Sequence, residues 1–554
     1  MTSNHIVQKL WNLCDVLRDD GINYSDYVTE LVLLLFIKMV HENTEAGILK
    51  NHPLPEGCRW TDLNGKSGIN LINDYKAILL ALSTGKRMEA DPENPGKTKE
   101  VQVHEDPLIS AIYTDAQTRL REPRHLEQMI KVLDQINWFD VQKDGLGDLY
   151  EGLLEKNASE TKSGAGQYFT PRPLINSMVR CIKPQPNEVI QDPAAGTAGF
   201  LVAAHEFIKS VTDNLADLTL KDQNFQKNKA FVGIELVPGT RRLALMNCLL
   251  HGMEGDDEGV VHLGNALGQA GAGLAKADVI LANPPFGTAK GGEASITRDD
   301  LTYKTSNKQL AFLQHIYRNL KPGGRAAVIL PDNVLFEAGV GTDVRNDLMN
   351  KCNLHTILRL PTGIFYAQGV KTNVLFFTKG SACDELQEVN CTESVWVYDL
   401  RTNMPSFGKR TPFGEQHLKP FEKVYGKKAD GTSKRTEGEW SFNAEEIEVD
   451  KAETEENAGV DDRLAHSRWR CFSRQWIRDH KDGSLDISWL KDANSLDAAS
   501  LPGPAVLAEE AISELVLAVE ELDRLMRELG AEEKADVQKV LLTEALSLDG
   551  MESS

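Results

Sequence analysis

"ADVILANPPFG", residues 277–287, is an apolar run that stops at Ala282 and gives way to Asn283, Pro284, Pro285 and Phe286. A strand ending at Ala282 cannot continue through two prolines, because neither has an N–H for a sheet ladder and both fix φ. The stretch reads as a buried strand that ends in a rigid turn, which presents a carboxamide and an aromatic ring.

Around it lie similar short runs: "EVIQD" (188–192), "AFVGIE" (230–235), "RAAVIL" (325–330), "HTILRL" (355–360), "NVLFFT" (373–378) and "VWVYD" (395–399). Several are apolar throughout, as strands covered on both faces by helices are. Helical stretches alternate with them. Residues 149–480 therefore read as an α/β domain with a doubly wound, mainly parallel sheet. Ligands in such sheets bind beyond the carboxyl ends of the strands, where the turns after "EVIQD" and "ADVILA" fall.

Residues 1–148 read as a helical domain with no period-two alternation. "SDYVTELVLLLFIKMVHE" (25–42) has Ser25 or Asp26 as its expected N-cap, and its apolar residues recur too densely for an exposed face. Residues 405–436 hold eight Lys or Arg against three Asp or Glu, either a solvated loop or a phosphate-facing patch. Residues 437–462 hold eleven acidic residues and one Lys, which suits a linker or exposed loop. Residues 481–554 turn helical again. There Ile512, Leu515, Val519, Leu522, Met526 and Leu529 form a short heptad seam, which packs on its own domain or docks on a partner's helices.

The 554 residues allow two to four domains. The longest strongly apolar run, residues 31–37, is too short to cross a bilayer, and the N-terminus lacks the basic-then-apolar pattern of a signal peptide. Eight cysteines without a C-x-x-C pair argue against a zinc site and for reduced thiols. A cytoplasmic protein with no membrane association and no metal is the expectation. The net charge of −21 argues against DNA binding through the chain's own general electrostatics. Work on DNA would be local, or would use a partner that carries the positive charge.

Three local patterns carry chemistry. "QDPAAGTAGFLVAA" (191–204) follows a strand and enters a helix, and its small residues let a ligand approach the backbone. It is not G-x-G-x-x-G, and an ordinary tight strand–helix turn would look the same. Glu235 closes "AFVGIE", where an acid can accept hydrogen bonds from a ribose. The polar segment 209–229 accounts for its long separation from the Gly-rich turn. The Asn-Pro-Pro-Phe turn suits an exocyclic amine whose lone pair is delocalised into a ring. Two acceptors aimed at its N–H groups, the Asn283 side-chain oxygen and the Pro284 carbonyl, favour the pyramidal, more nucleophilic form. The prolines hold both acceptors in place, and Phe286 can stack on the ring.

Taken in order, "SGAGQYFTPRPL" (163–174), "DPAAGTAGFL" (192–201), "GIE" (233–235), "GNAL" (264–267) and "NPPF" (283–286) resemble the DNA adenine-N6 methyltransferases that use S-adenosylmethionine. With "LVPGTRRLALMNCLLHG" (236–252), "SNKQLAFLQHI" (306–316), "PGGRAAVILPDNVLF" (322–336), "LRLPTGIFYAQGVKTNVLFFTKG" (358–380) and "SRWRCFSRQWIRD" (467–479), the chain is similar over nearly its whole length to the modification subunits of type I restriction-modification systems. The resemblance implies a Rossmann-like methyltransferase fold. It implies cofactor contacts from Gln167, Tyr168, Phe169, Thr170, Pro171 and Arg172, from Asp192, Gly196, Thr197, Ala198 and Gly199, and from Glu235. Asn265 stands where many amino-methyltransferases have Asp, and still both donates and accepts. Asn283, Pro284, Pro285 and Phe286 would hold an adenine flipped out of double-stranded DNA. No separate target-recognition segment is visible, so the resemblance implies a complex of two such chains with one specificity subunit, able to recruit restriction subunits. Release-factor glutamine methyltransferases, with a similar Asn-Pro-Pro-aromatic turn, are the alternative, but their chains are shorter and lack the helical front and tail.

Overall fold

The computed structural model describes residues 10–12, 24–47, 52–91, 94, 96–136, 153, 170–287, 296–365, 370–381, 390–408, 411–437 and 467–490. Residues 491–554 lie outside them. The C-terminal seam, all of the acidic segment except Glu437, and Gln167, Tyr168 and Phe169 lie outside the described residues.

Among the described residues the N-terminal part has the helices α1 (Tyr24–Glu45), α2 (Gly68–Thr84), α3 (Pro107–Tyr113) and α4 (Pro123–Asp134). Helix α1 starts at Tyr24, so Ser25 and Asp26 lie inside its first turn and neither is the N-cap. Residues 31–37 are buried all round, which explains why they show no polar stripe. The Lys38 ammonium in the same helix is held by Glu42 (2.7 Å) and Asp134 (2.9 Å). A buried ammonium needs such partners to offset its lost hydration.

The purely helical reading of residues 1–148 is corrected by an antiparallel hairpin of β1 (Lys86–Ala90) and β2 (Thr98–Gln102). Neither strand has a buried face, so no alternation of apolar and polar residues marks them. The turn-forming "DPENPG" between them is their one local signal.

The second part is a nine-stranded mixed sheet. Its strands are β3 (Ile190–Asp192), β4 (Phe231–Glu235), β5 (Val261–Leu263), β6 (Ala277–Ala282), β7 (Leu320–Pro331), β8 (Cys352–Arg359), β9 (Thr372–Lys379), β10 (Ser394–Asp399) and β11 (Trp469–Ser473), in the order β11-β10-β8-β9-β7-β6-β3-β4-β5. Only β9 and β11 run against the rest. All seven runs expected as strands are strands. The three-residue β5 and the distant β11 are additional.

Helices cover both faces. Leading in and between strands run α5 (Arg172–Ile182), α6 (Gly199–Val211), α7 (Leu220–Asn228), α8 (Pro238–Leu250), α9 (Lys308–Asn319) and α10 (Val340–Lys351). The polar segment 209–229 contains α7. In β6, Val279 and Leu281 enter the core shared with α5 and α6, while Ile280 and Ala282 enter the core shared with α9 and α10. Both faces being dry, "ADVILA" has no polar face to alternate with. The basic segment 405–436 is partly structural where it is described: half-buried Arg435 lies over the rings of Tyr425 and Trp469 and donates to the carbonyls of Tyr425 and His355. Its lysines 419, 423, 427, 428 and 434 are exposed. Arg242 of α8 donates to the carbonyls of Ile112 (2.8 Å) and Thr114, bracing the N-terminal helices on the sheet domain. Among the described residues no helix is long and apolar enough to cross a membrane.

Candidate active site

Strands β3 and β6 are parallel neighbours, with Ile190 opposite Val279 and Gln191 opposite Ile280. Their carboxyl ends therefore deliver the "DPAAGTAG" turn and the Asn-Pro-Pro-Phe turn to the same edge of the sheet. Next to β3, β4 ends at Glu235, and β5 leads into "GNAL". Described site residues from four separate stretches thus converge on one edge, the edge at which α/β sheets bind ligands.

Asp192 is buried at the end of β3 and accepts from the Ala194 N–H at 3.0 Å. Burial pushes its carboxyl up to about 8, and the nearby Glu235 charge adds to the effect. Gly196 has φ +54°, and a Cβ there would meet no atom within 4 Å. It lies in the left-handed region with open space in front of it, the form of a backbone cradle. Ala198 also has φ +67°, a conformation that costs a non-glycine residue about 1–2 kcal/mol. It caps α6 without a side-chain acceptor to offer. The first N–H groups of this 13-residue helix thus remain for an anionic group such as a carboxylate. Asn247 of α8 donates to the Thr197 carbonyl at 3.0 Å and fixes the turn from behind. Gly199 packs under α5, where an added Cβ would lie 3.2 Å from the Ile175 side chain. Arg172 approaches the Gly199 carbonyl only at 3.5 Å, too long for a firm hydrogen bond. Pro171 accepts from the Leu174 N–H and starts α5.

Glu235 organises the edge as well as marking it. Its carboxylate accepts from Gly196 N–H (3.0 Å) and Val237 N–H (2.8 Å). Burial raises its pKa, and those backbone donors pull it back down. Beside it Leu236, Val237 and Leu263 stand about half exposed or more, apolar side chains of the kind that line a site for a planar heterocycle. Reading the sequence alone misses these three, because single exposed apolar residues carry no signal until β4 and β5 pair. Asn265 turns its Oδ1 to the Leu267 N–H at 2.9 Å, so its carboxamide closes its own turn and leaves its amide hydrogens toward the exposed side. Arg298 holds the same turn through the Ala266 carbonyl at 3.0 Å.

At the catalytic-type turn, Asn283 donates from Nδ2 to Thr170 Oγ1 at 3.0 Å. Pro284 is buried, and Phe286 is half-buried, edge-on to Phe365 with centroids 6.5 Å apart. Thr170, read from sequence as a cofactor contact, thus meets the target-side turn. Phe365 and the link from Thr170 to Asn283 are further features that reading the sequence misses.

The donor set fits S-adenosylmethionine: helix N–H groups for a carboxylate, an acid at the strand end for ribose hydroxyls, and an apolar surface for the adenine. Fold and site together define an amino-methyltransferase. The matching family models are N-6 DNA Methylase over residues 141–470, HsdM N-terminal domain over 6–133, and type I restriction enzyme methylase subunit, C-terminal domain, over 501–544. Among its relatives, the EcoKI methylase subunit of Escherichia coli K12 is 56% identical over 551 residues, 98% of this chain and 99% of its own. The StySPI methylase subunit of Salmonella potsdam is 57% identical over the same shares of both chains. The crystal structure of the EcoKI M protein matches 98% of this chain and 99% of its own at 52% identity, with a TM-score of 0.55. The chain belongs to the N-6 DNA methylase family, among the methylase subunits of type I restriction enzymes.

Proposed function

We propose that this chain transfers a methyl group from S-adenosylmethionine to N6 of an adenine swung out of double-stranded DNA. It does so as the modification subunit of a type I restriction-modification complex in the cytoplasm. The observation that carries the reading is the shared edge of β3 and β6, which brings a ligand cradle and an amine-holding turn side by side. When bound, the cofactor supplies an electrophilic methyl group on a sulfonium.

The chain's residues do the rest. The α6 N-terminus and Glu235 bind and orient the methyl donor. Asn283 and the Pro284 carbonyl accept from the two N6 hydrogens and hold the amine pyramidal. Phe286 stacks on the base, which must leave the duplex because a paired N6 cannot meet a methyl group in line. Sequence choice belongs to a specificity subunit, joined by two copies of this chain and, in the full complex, by restriction subunits. The acidic balance of the chain supports that division, since a partner must supply most of the attraction for DNA.

The test is single-turnover methyl transfer to unmodified DNA from a host lacking the system, with the specificity chain co-expressed. Asn283→Ala should lower the rate by orders of magnitude, in line with a preorganised polar contact worth about 3–4 kcal/mol in a dry site. Cofactor affinity should barely move. Phe286→Ala should weaken capture of the base by about 1–3 kcal/mol of lost stacking, while Phe286→Tyr and Phe286→Trp retain activity. Wild-type methylation by the Asn283→Ala chain would sink the mechanism.

A further inference from the structure

We propose that Thr170 is a positioning residue for the methyl transfer, setting the direction in which the Asn283 carboxamide faces. The inference rests on the proposed role of Asn283. The two residues are 113 apart in sequence, yet Asn283 Nδ2 donates to Thr170 Oγ1 at 3.0 Å. The terminal torsion of an asparagine is broad, so its amide needs a partner to stay in one orientation. Presented the wrong way round, Nδ2 would point its hydrogens at the hydrogens of an incoming amine. With Nδ2 taken by the hydroxyl, Oδ1 is turned away from Thr170, and Oδ1 is the acceptor that an amine requires.

The support beneath Thr170 is rigid. Its side chain is buried, only 8% of the residue being exposed. Pro171 follows at φ −57° and caps α5, whose Leu174, Ile175 and Met178 are sunk in the core. The hydroxyl therefore moves little, and the asparagine it holds inherits that stiffness. An asparagine locked before the base arrives loses less freedom when it binds, the usual gain from preorganisation. The resemblance assigns this threonine to the cofactor. The geometry assigns its hydroxyl to the base-holding residue instead.

Thr170→Val keeps the branched shape and removes the hydroxyl, whereas Thr170→Ser keeps the hydroxyl. Both are compared in the full chain with its specificity chain, by single-turnover methyl transfer and by calorimetric titration with S-adenosylmethionine. The valine variant should slow transfer about tenfold, the worth of one net hydrogen bond, with cofactor affinity within twofold of wild type. The serine variant should retain most of the rate. On an Asn283→Ala background, Thr170→Val should cost nothing further, a coupling that a merely structural role would not produce. If the valine variant melts early, Thr170→Ala replaces it.

Wild-type transfer by the Thr170→Val chain, alongside a slow Asn283→Ala chain, overturns the positioning role and leaves the proposed function standing. So does weaker cofactor binding with an unchanged rate at saturation, which would return Thr170 to the cofactor. So does a full additional loss in the double variant. A fast Asn283→Ala chain overturns the proposed function itself.

Discussion

Glu235 organises its loop and is proposed to hold the methyl donor, and Glu235→Gln separates the two roles. In the structure its two oxygens take the N–H groups of Gly196 and Val237. Glutamine keeps one acceptor oxygen and sets an NH₂ group against the other N–H, so one of the two bonds is lost. A net hydrogen bond is worth about 0.5–1.5 kcal/mol, and one to a charged group about 1.5–3 kcal/mol. The loop should therefore loosen by about 1–2 kcal/mol. In a domain of this size that lowers the melting temperature by only about 2–4 °C per kcal/mol, or less. A ribose hydroxyl donating to the remaining lone pairs would add a charge-assisted bond, worth roughly 10- to 100-fold in affinity. Titration with S-adenosylmethionine and with its 2′- and 3′-deoxyribose analogues distinguishes the two contributions. The wild-type chain should bind at least one deoxy analogue about tenfold or more weakly than the parent, and the Glu235→Gln chain should barely discriminate. A wild-type chain that binds both deoxy analogues as tightly as the parent would refute ribose recognition and leave Glu235 as a loop organiser alone.

Gly196→Ala should cost about 1 kcal/mol of stability from its left-handed φ of +54°. It clashes with nothing in the protein, yet it should weaken S-adenosylmethionine binding sharply by filling the cradle, and unchanged affinity would move the ligand elsewhere. Asp192 has its folded pKa raised to about 8 by burial. Raised above its unfolded value, it stabilises the fold while protonated, and that stabilisation is lost as pH climbs from about 4 through 8. The melting temperature of wild type relative to Asp192→Asn should therefore fall over that range, and parallel curves would contradict the assignment. Arg242→Ala removes the bonds to Ile112 and Thr114. It should speed amide hydrogen exchange across residues 107–116 with little change in cofactor affinity, whereas unchanged exchange would show that other contacts hold the two parts together.

Much of this protein was legible in one dimension because its signals are local. A strand buried on both faces must be apolar throughout, so "ADVILA", "RAAVIL" and "NVLFFT" declare themselves. Prolines that cannot join a ladder mark where β6 stops. Glycine and alanine, which leave the backbone open to a ligand, mark the turn after β3. Where burial was absent the signal vanished, as in the hairpin of β1 and β2, whose faces are both in water. That β9 runs against its neighbours, and that β11 pairs with β10 from some 70 residues away, nothing local announces.

The site divides in the same way. Asn283, Glu235 and Gly196 stand out by residue type and position. Their working arrangement is set only by folding, because hydrogen bonds act over about 3 Å whatever the separation along the chain. Only the tertiary structure ties Glu235 to Gly196, Asn247 to Thr197 and Thr170 to Asn283. Residue types and spacing mark which groups can do the chemistry. Packing of the sheet decides which of them meet, and in which orientation each is held.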